Sequence, residues 1–432
     1  MNVAMSIKSR GVAASAARAV NVVSRFGATV SPMARRLERY LALTSELGFR
    51  PTWPATACVV DRHPDVLRDL AARGAEIALH GLVHGDHATQ GVERQRDSIA
   101  RARDIFDRHG LRPDGFRGPY LRYNAATLVA LSELGIEYHS SQAVFYPPPG
   151  GGRDRVTDAY RRAIALYGAL DARTIAVRPR IREGLVDIPI ALPDDEILVE
   201  RLGSDETSAE REWLHLLELT LARGDLLTVQ LHPERLGELE GALRTLLGAA
   251  RRRGGVWPAR LDEIAGWWMR REGFRLHVTR TTSGHRVHVE ADPDATILVR
   301  GAESTREPWS ARDSVLTAND VHFRSERAPI VGVSPSSPRE VRSFIREEGF
   351  QVEVADDASR FGAFVDAAGG WTETAILEAI ESAPGPLVRI WRWPSRSRSA
   401  LAVTGDIDAL TLQDFALRFW ETRETQFRGW RT

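Results

Sequence analysis

Two imidazoles stand four residues apart in the stretch Glu76-Ile-Ala-Leu-His80-Gly-Leu-Val-His84-Gly-Asp86-His87, where a short apolar run gives way to glycine. Neutral imidazole is a common metal ligand, and a catalytic zinc needs about three protein ligands plus one open position. This segment offers His80 and His84 as two ligands, with Asp86 and His87 as candidates for a third. The same spacing occurs on the helix of zinc metalloproteases, where a glutamate directly follows the first histidine. Here position 81 is Gly81, and the run Ala75 to Leu79 is short, apolar and bounded by Gly74, which favours a strand. The histidines therefore belong to a strand end and its loop. As an isolated pair they are equally compatible with ordinary hydrogen-bonded core or surface histidines.

Other residues of chemical character stand at further strand ends. Phe116-Arg117-Gly118-Pro119-Tyr120 follows a short predicted strand, and Leu231-His232-Pro233 closes the apolar run that begins at Leu226. An Arg-Gly-Pro-Tyr turn or a lone strand-end histidine says little alone. Their shared placement says more, because barrel active sites gather at the carboxyl ends of strands.

The elements that must position these groups alternate. The spacing predicts a helix over 33–47, a strand over 52–60, a helix opened by Pro64, the strand before His80, a charged helix over 93–109, and a capped helix over 124–134. Strands at 136–140, 185–190 and 226–231 follow, with helices near 210–222 and 236–250. This pattern implies an α/β fold, a distorted or incomplete β/α barrel over residues 1–273. Pro147-Pro-Pro-Gly-Gly-Gly152 reads as a loop within it. Beyond, short strands and turns predict a small appended α+β module over 274–385, and residues 386–432 form a tail with a strand and a helix. The pair Trp391 and Trp393 reads as packing at a domain junction, with sugar stacking as the lesser possibility.

Composition narrows the function classes. The 58 basic and 58 acidic residues cancel, so no general polyanion-binding surface is indicated and nucleic acid is not an expected partner. Cys58 is the single cysteine, which rules out intrachain disulfides and a thiolate-rich zinc site. No apolar core suited to a signal peptide is evident near the N-terminus, and no run approaches about 18 apolar residues. A cytoplasmic enzyme without a transmembrane segment is expected.

Taken in order, His80-x-x-x-His84, Arg117-Gly-Pro-Tyr120 and Leu231-His232 resemble the polysaccharide deacetylase family with NodB homology, a group of metal-dependent carbohydrate esterases. Val186 to Ile190 and Pro193-Asp194-Asp195 are similar to its groove-lining strand and loop. The resemblance covers roughly residues 2–270 and implies a β/α barrel of the deacetylase type. It further implies a divalent metal, zinc, on His80 and His84. Arg117 would orient a catalytic carboxylate, the Tyr120 backbone amide would bind an oxyanion, and His232 would act as general acid. The implied reaction is hydrolytic removal of an N-acetyl group from an acetylated sugar, in a polysaccharide or glycan precursor. The alternative is an inactive deacetylase-like barrel that binds a glycan or a partner protein.

One departure stands out. The family opens with a strand ending in two acidic residues that provide the base and the third metal ligand, whereas the matching Val3 to Ile7 is followed by Lys8-Ser9-Arg10. A lysine ammonium would be repelled by a dication. The apolar run Ser399 to Thr404, however, leads into Gly405-Asp406-Ile-Asp408. This tail resembles the missing motif, and would complete the site with Asp406 as base and Asp408 as ligand. It could also be the start of a second unit or a turn that caps the last helix. Otherwise Asp86 or His87 supplies the third ligand.

Overall fold

The computed structural model describes residues 25–147, 157–303 and 307–422. The expected strand at Val3 to Ile7, with Lys8, Ser9 and Arg10, lies outside the described residues, as does most of the proline-glycine loop. Two compact units divide the chain. The first comprises Met1–Asp171, Val177–Ala265 and Ala400–Thr432; the second comprises Ala172–Ala176 and Gly266–Ser399. The units change over at 265/266 and 399/400, so of the tail Ala400–Thr432 groups with the first unit.

The first unit is built on a curled, mainly parallel sheet, a distorted α/β barrel. Its strands run in the spatial order Leu226–Gln230, Ser399–Thr404, Thr52–Ala55, Glu76–Leu79, Gly115–Phe116, Tyr138–His139, Leu185–Asp187, Arg180–Arg182. Only the last pair on this path is antiparallel. A second small sheet, Leu170–Asp171, Ala143–Phe145 and Ile190–Leu192, continues the curl. The barrel is therefore interrupted, consistent with the distorted or incomplete barrel that the alternation of strands and helices implied. Helices Ser31–Glu46, Pro64–Ala72, Val92–Arg108 and Ala125–Glu133 follow the expected alternation. Asn124 closes a reciprocal capping box with Thr127 at the start of the last of these, satisfying donors that a helix start leaves open.

One expected element changes character. The strand predicted over 52–60 stops at Ala55, and Ala57–Arg62 is helical. The amides of Ala57 and Cys58 are claimed by the carbonyls of Gly81 and Leu82 in the histidine loop. Val59 and Val60 then bury their side chains from a helix, a case of tertiary context overriding β-propensity.

The tail strand is a central one. Leu226 to Gln230 pair in parallel with Ala400 to Thr404 on one side, and Thr52 pairs with Thr404 on the other. The ladder continues past the strand, with the Ile407 amide donating to Pro54 O at 2.8 Å and the Leu231 amide donating to Thr404 O at 2.8 Å. All six residues of Ser399–Thr404 are buried, which explains the unbroken apolar run Ala400 to Val403 at its centre. Gly405 is required by close approach: a Cβ there would meet Leu231 O at 2.1 Å.

The second unit is a small α+β module. Arg275–Thr281, Gly284–Glu290 and Asp320–Phe323 form an antiparallel sheet, and Val352–Val354, Ala328–Val333 and Phe361–Val365 a parallel one. Helices Arg339–Glu347 and Glu373–Ser382 add Val341, Ile345 and Ile380 to one of its cores. Trp391 and Trp393 are buried, and Trp391 packs edge-on to Trp309 at 5.4 Å. Their rings are packed, Trp393 against Trp268 at 6.0 Å, rather than presented as open faces to a sugar.

Glu76, buried in the strand that leads to His80, is a carboxyl kept in its neutral form. Burial and the nearby charge of Asp262 raise its pKa to about 8, outweighing hydrogen bonds from Thr52 and Tyr138. The unfolded chain loses this proton near the ordinary value of 4.5 while the folded chain keeps it to about 8, so this group's contribution to stability declines as pH rises through that window. Replacing Glu76 with Gln should flatten that decline. The gap in melting temperature between E76Q and the native protein is expected to shift steadily in favour of E76Q as pH rises from 4.5 to 8; a gap independent of pH would contradict the assignment.

Candidate active site

The chemical groups converge at the carboxyl ends of the parallel strands. His80 follows Glu76–Leu79, Arg117 follows Gly115–Phe116, His232 follows Leu226–Gln230 within two residues, and Asp406 and Asp408 follow Ser399–Thr404. Every one of them lies in the first unit.

His80 is buried, and its Nδ1 lies 2.9 Å from the carbonyl oxygen of Arg117. A carbonyl can only accept, so Nδ1 carries the proton and Nε2 presents a lone pair. That Nε2 has no hydrogen-bond partner, and neither has Oδ1 of Asp408; the two atoms are 3.3 Å apart. His84 Nε2 lies 3.2 Å from Asp408 Oδ2. Ligand atoms of His80, His84 and Asp408 all fall within 4.8 Å of one another. Burial holds the His84 imidazole well below its ordinary pKa, in the neutral form a metal requires. Burial opposes ionisation of Asp408, but the imidazoles and Arg418 overcome it and hold the carboxyl well below the usual range. Two imidazoles and one carboxylate, with orphaned buried atoms aimed together, fit a divalent cation.

Asp406 sits beside this cluster, with Oδ2 3.7 Å from His80 Nε2. Its Oδ1 accepts from Arg117 Nη1 at 3.0 Å and its Oδ2 from Gln230 Nε2 at 3.0 Å. Arg117 is fully buried. Its remaining donors reach Ser140 O at 2.9 Å, Ser140 Oγ at 3.2 Å and Thr404 Oγ1 at 2.9 Å. The Arg-Gly-Pro-Tyr turn bends sharply: Tyr120 and Leu121 have φ of 61° and 53°, a left-handed conformation that side chains other than glycine rarely adopt and that clusters at functional sites. The turn is held by Gly118 N donating to Ser141 Oγ at 2.7 Å, and the Tyr120 ring stands edge-on to His84 at 4.4 Å.

His232 Nδ1 lies 2.9 Å from Asp195 Oδ1, and its backbone amide donates to Asp195 Oδ2 at 3.0 Å. Burial would lower the imidazole pKa, but Asp195, with smaller contributions from Glu234 and Asp406, raises it to about 10. Arg235 also binds Asp195, at 3.1 Å, and with His232 holds that carboxylate ionised against its burial. The His232 Nε2 is 4.0 Å from Asp406 Oδ2. One cavity of ≈ 80 Å³ is lined by His84, Tyr120, His232, Asp406, Asp408 and Arg418, among others.

The other two candidates for a third ligand are engaged elsewhere. Asp86 accepts from Ala88 N at 3.0 Å and from Arg122 Nε at 2.9 Å. His87 Nδ1 faces Gln95 Oε1 at 3.1 Å, and burial lowers its pKa to about 4. Sequence reading did not identify Gln230 or Arg418. Gln230 is flagged only by its place two residues before His232; Arg418 carries no local signal beyond lying ten residues after Asp408.

Comparison with known proteins agrees with the motifs. Residues 31–139 match the family model described as polysaccharide deacetylase. A peptidoglycan deacetylase-like protein of Gibberella zeae is 27% identical over 124 residues, covering 28% of this chain and 37% of that protein. The chain thus spans little more than a third of that relative's length. Among solved structures, a Mycobacterium smegmatis protein assigned as a polysaccharide deacetylase is similar at 21% identity and a TM-score of 0.43, over 54% of this chain and 76% of the other. The wild-type BA3943 pseudoenzyme of carbohydrate esterase family 4 from Bacillus anthracis is similar at 11% identity and a TM-score of 0.27, over 43% and 57%.

If Asp195 sets the charge of His232, its removal should expose the effect of burial. In Asp195→Asn the His232 pKa, followed by NMR of the ring protons, is expected to fall from about 10 by more than one unit, so that the ring loses its proton at a lower pH than in the native protein. An unchanged titration would show that Asp195 does not control this imidazole.

Proposed function

We propose, from the premise that residues 31–139 belong to the polysaccharide deacetylase family, that this chain hydrolyses the N-acetyl amide of an acetylated sugar, in a polysaccharide or a glycan precursor. His80, His84 and Asp408 would hold a divalent cation, zinc. The observation that carries the reading is the meeting of two orphaned buried atoms, His80 Nε2 and Asp408 Oδ1, with a separately anchored carboxylate, Asp406, beside them.

Bound there, zinc would polarise the amide carbonyl and make water easier to deprotonate. The chain's own groups divide the remaining work. Asp406 is the base: Arg117 and Gln230 fix its two oxygens, so the carboxylate is aimed without reorganisation, and it takes a proton from the attacking water. The Tyr120 backbone amide, on a strained turn fixed by Ser141, is the donor assigned to the developing oxyanion. His232 holds its proton at neutral pH because Asp195 stabilises the imidazolium. It passes that proton to the departing amine, leaving a free amino sugar and acetate. No helix among the described residues is long and apolar enough to cross a membrane, and a cytoplasmic setting forms part of the same proposal.

Three variants separate ligand from base. His80→Ala and Asp408→Asn are expected to lose stoichiometric zinc, measured by elemental analysis after dialysis. Asp406→Asn should keep zinc but lower acetate release from an N-acetylated chitooligosaccharide by about 10²- to 10⁴-fold, the usual range for a general base. Tight zinc binding with no acetate release from the native protein would favour the glycan-binding alternative. Full zinc retention in Asp408→Asn would remove the tail from the metal site.

A further inference from the structure

We propose that Arg418 is a positioning residue for Asp408 and so sets the affinity of the site for its cation; this rests on the reading of His80, His84 and Asp408 as ligands. The two oxygens of Asp408 have different surroundings. Oδ1 faces His80 Nε2 at 3.3 Å and makes no hydrogen bond. Oδ2 accepts from Arg418 Nη1 at 2.8 Å. With one oxygen pinned, the other points in a fixed direction toward the imidazole lone pair.

Arg418 is itself well fixed. It lies on helix Leu412–Glu421, whose start carries a reciprocal capping box between Thr411 and Asp414. Asp414, one turn before Arg418, is bound by Arg62 at 3.2 Å and His63 at 2.9 Å, which ties the helix to the segment around Ala57–Arg62. Phe415 packs against Phe26 at 5.6 Å, and the Arg418 guanidinium lies 5.3 Å from the Phe415 ring. The guanidinium is buried and lines the cavity that His84, Asp406 and Asp408 share. Arg117 holds Asp406 in the same manner, so each carboxylate of the pair has its own arginine.

Two effects of Arg418 oppose one another. Its positive charge repels an incoming dication, while its hydrogen bond orients the ligand. Loss of an outer hydrogen-bonding partner of a metal ligand typically lowers metal affinity by about 10- to 100-fold, which indicates that orientation dominates. A lysine would keep the charge but lose the planar fork, and should recover only part of the loss.

The test uses the full chain and zinc alone, with affinity read by competition against a chromophoric chelator. Arg418→Met is expected to bind zinc about 10- to 100-fold more weakly than the native protein, with Arg418→Lys in between. Because Arg418 acts through Asp408, the double variant Asp408→Asn/Arg418→Met should bind no more weakly than Asp408→Asn. Arg418→Met affinity within twofold of native, tighter binding, or losses that simply add would each overturn the proposal. Should circular dichroism show Arg418→Met unfolded, Arg418→Lys decides alone, unchanged affinity again overturning it. A native protein that takes up no zinc would instead refute the metal reading of the site itself.

Discussion

The site depends on a strand from the far end of the chain lying between two strands that the rest of the sheet supplies. Ser399–Thr404 completes the ladder between Leu226–Gln230 and Thr52–Ala55, and without it both neighbours would present unpaired backbone groups, costly when buried. The same insertion settles a charge. Arg117 is a fully buried cation whose Nη1 is met by Thr404 and Asp406, both brought by the tail. Removing one partner from a buried pair leaves an uncompensated charge and costs about 3–5 kcal/mol. The tail is thus required by the sheet's hydrogen bonds and by the arginine, before any catalytic role is considered.

Around that insertion each titratable group is given a different state by a different neighbour. A backbone carbonyl fixes the tautomer of His80. Burial keeps His84 neutral, whereas Asp195 keeps His232 charged against its partial burial. Asp406 is gripped at both oxygens, and Asp408 at one, with the other left bare. On the proposed reading, this asymmetry separates the carboxylate that transfers a proton from the one that holds a metal. It follows from what packs against each side chain, since both sit in one short loop.

Much of this was legible in the sequence because strand ends announce themselves. The apolar runs before His80 and Asp406 are central parallel strands and the run before His232 is the end strand beside them; all three are buried along their whole length, and the residue after each run emerges at the carboxyl end of the sheet. Helices Ser31–Glu46, Pro64–Ala72, Val92–Arg108 and Ala125–Glu133 followed from helical spacing, caps and glycine stops, whereas helix Asp158–Tyr167 and the short strands Ala143–Phe145 and Arg180–Arg182 had no counterpart in the sequence reading. Less legible was anything decided by packing between distant segments. Val59 and Val60 look like strand residues and are helical because the histidine loop takes the preceding amides. Asp86 and His87 remained open as ligands because spacing cannot show that Arg122 and Gln95 engage them. Arg418 is one of many arginines, and only the fold turns it toward Asp408.

A parallel sheet is indifferent to the order in which the chain supplies its strands, provided each arrives in register and points the same way. Position 406 lies beside His80 because Thr404 pairs with both Gln230 and Thr52, and Ile407 bridges to Ala55. Those pairings place the two aspartates by registry, and registry makes no reference to sequence number. Residues 272–398 therefore stand in the chain between helix Leu261–Arg271 and strand Ser399–Thr404 without entering into that registry. The resemblance at the level of motifs looks broken when read along the chain, with Lys8 where acids are expected, yet the carboxylates are present in space beside the histidines. For sites built at strand ends, motif order along the sequence is a weaker guide to chemistry than the order of strands across the sheet.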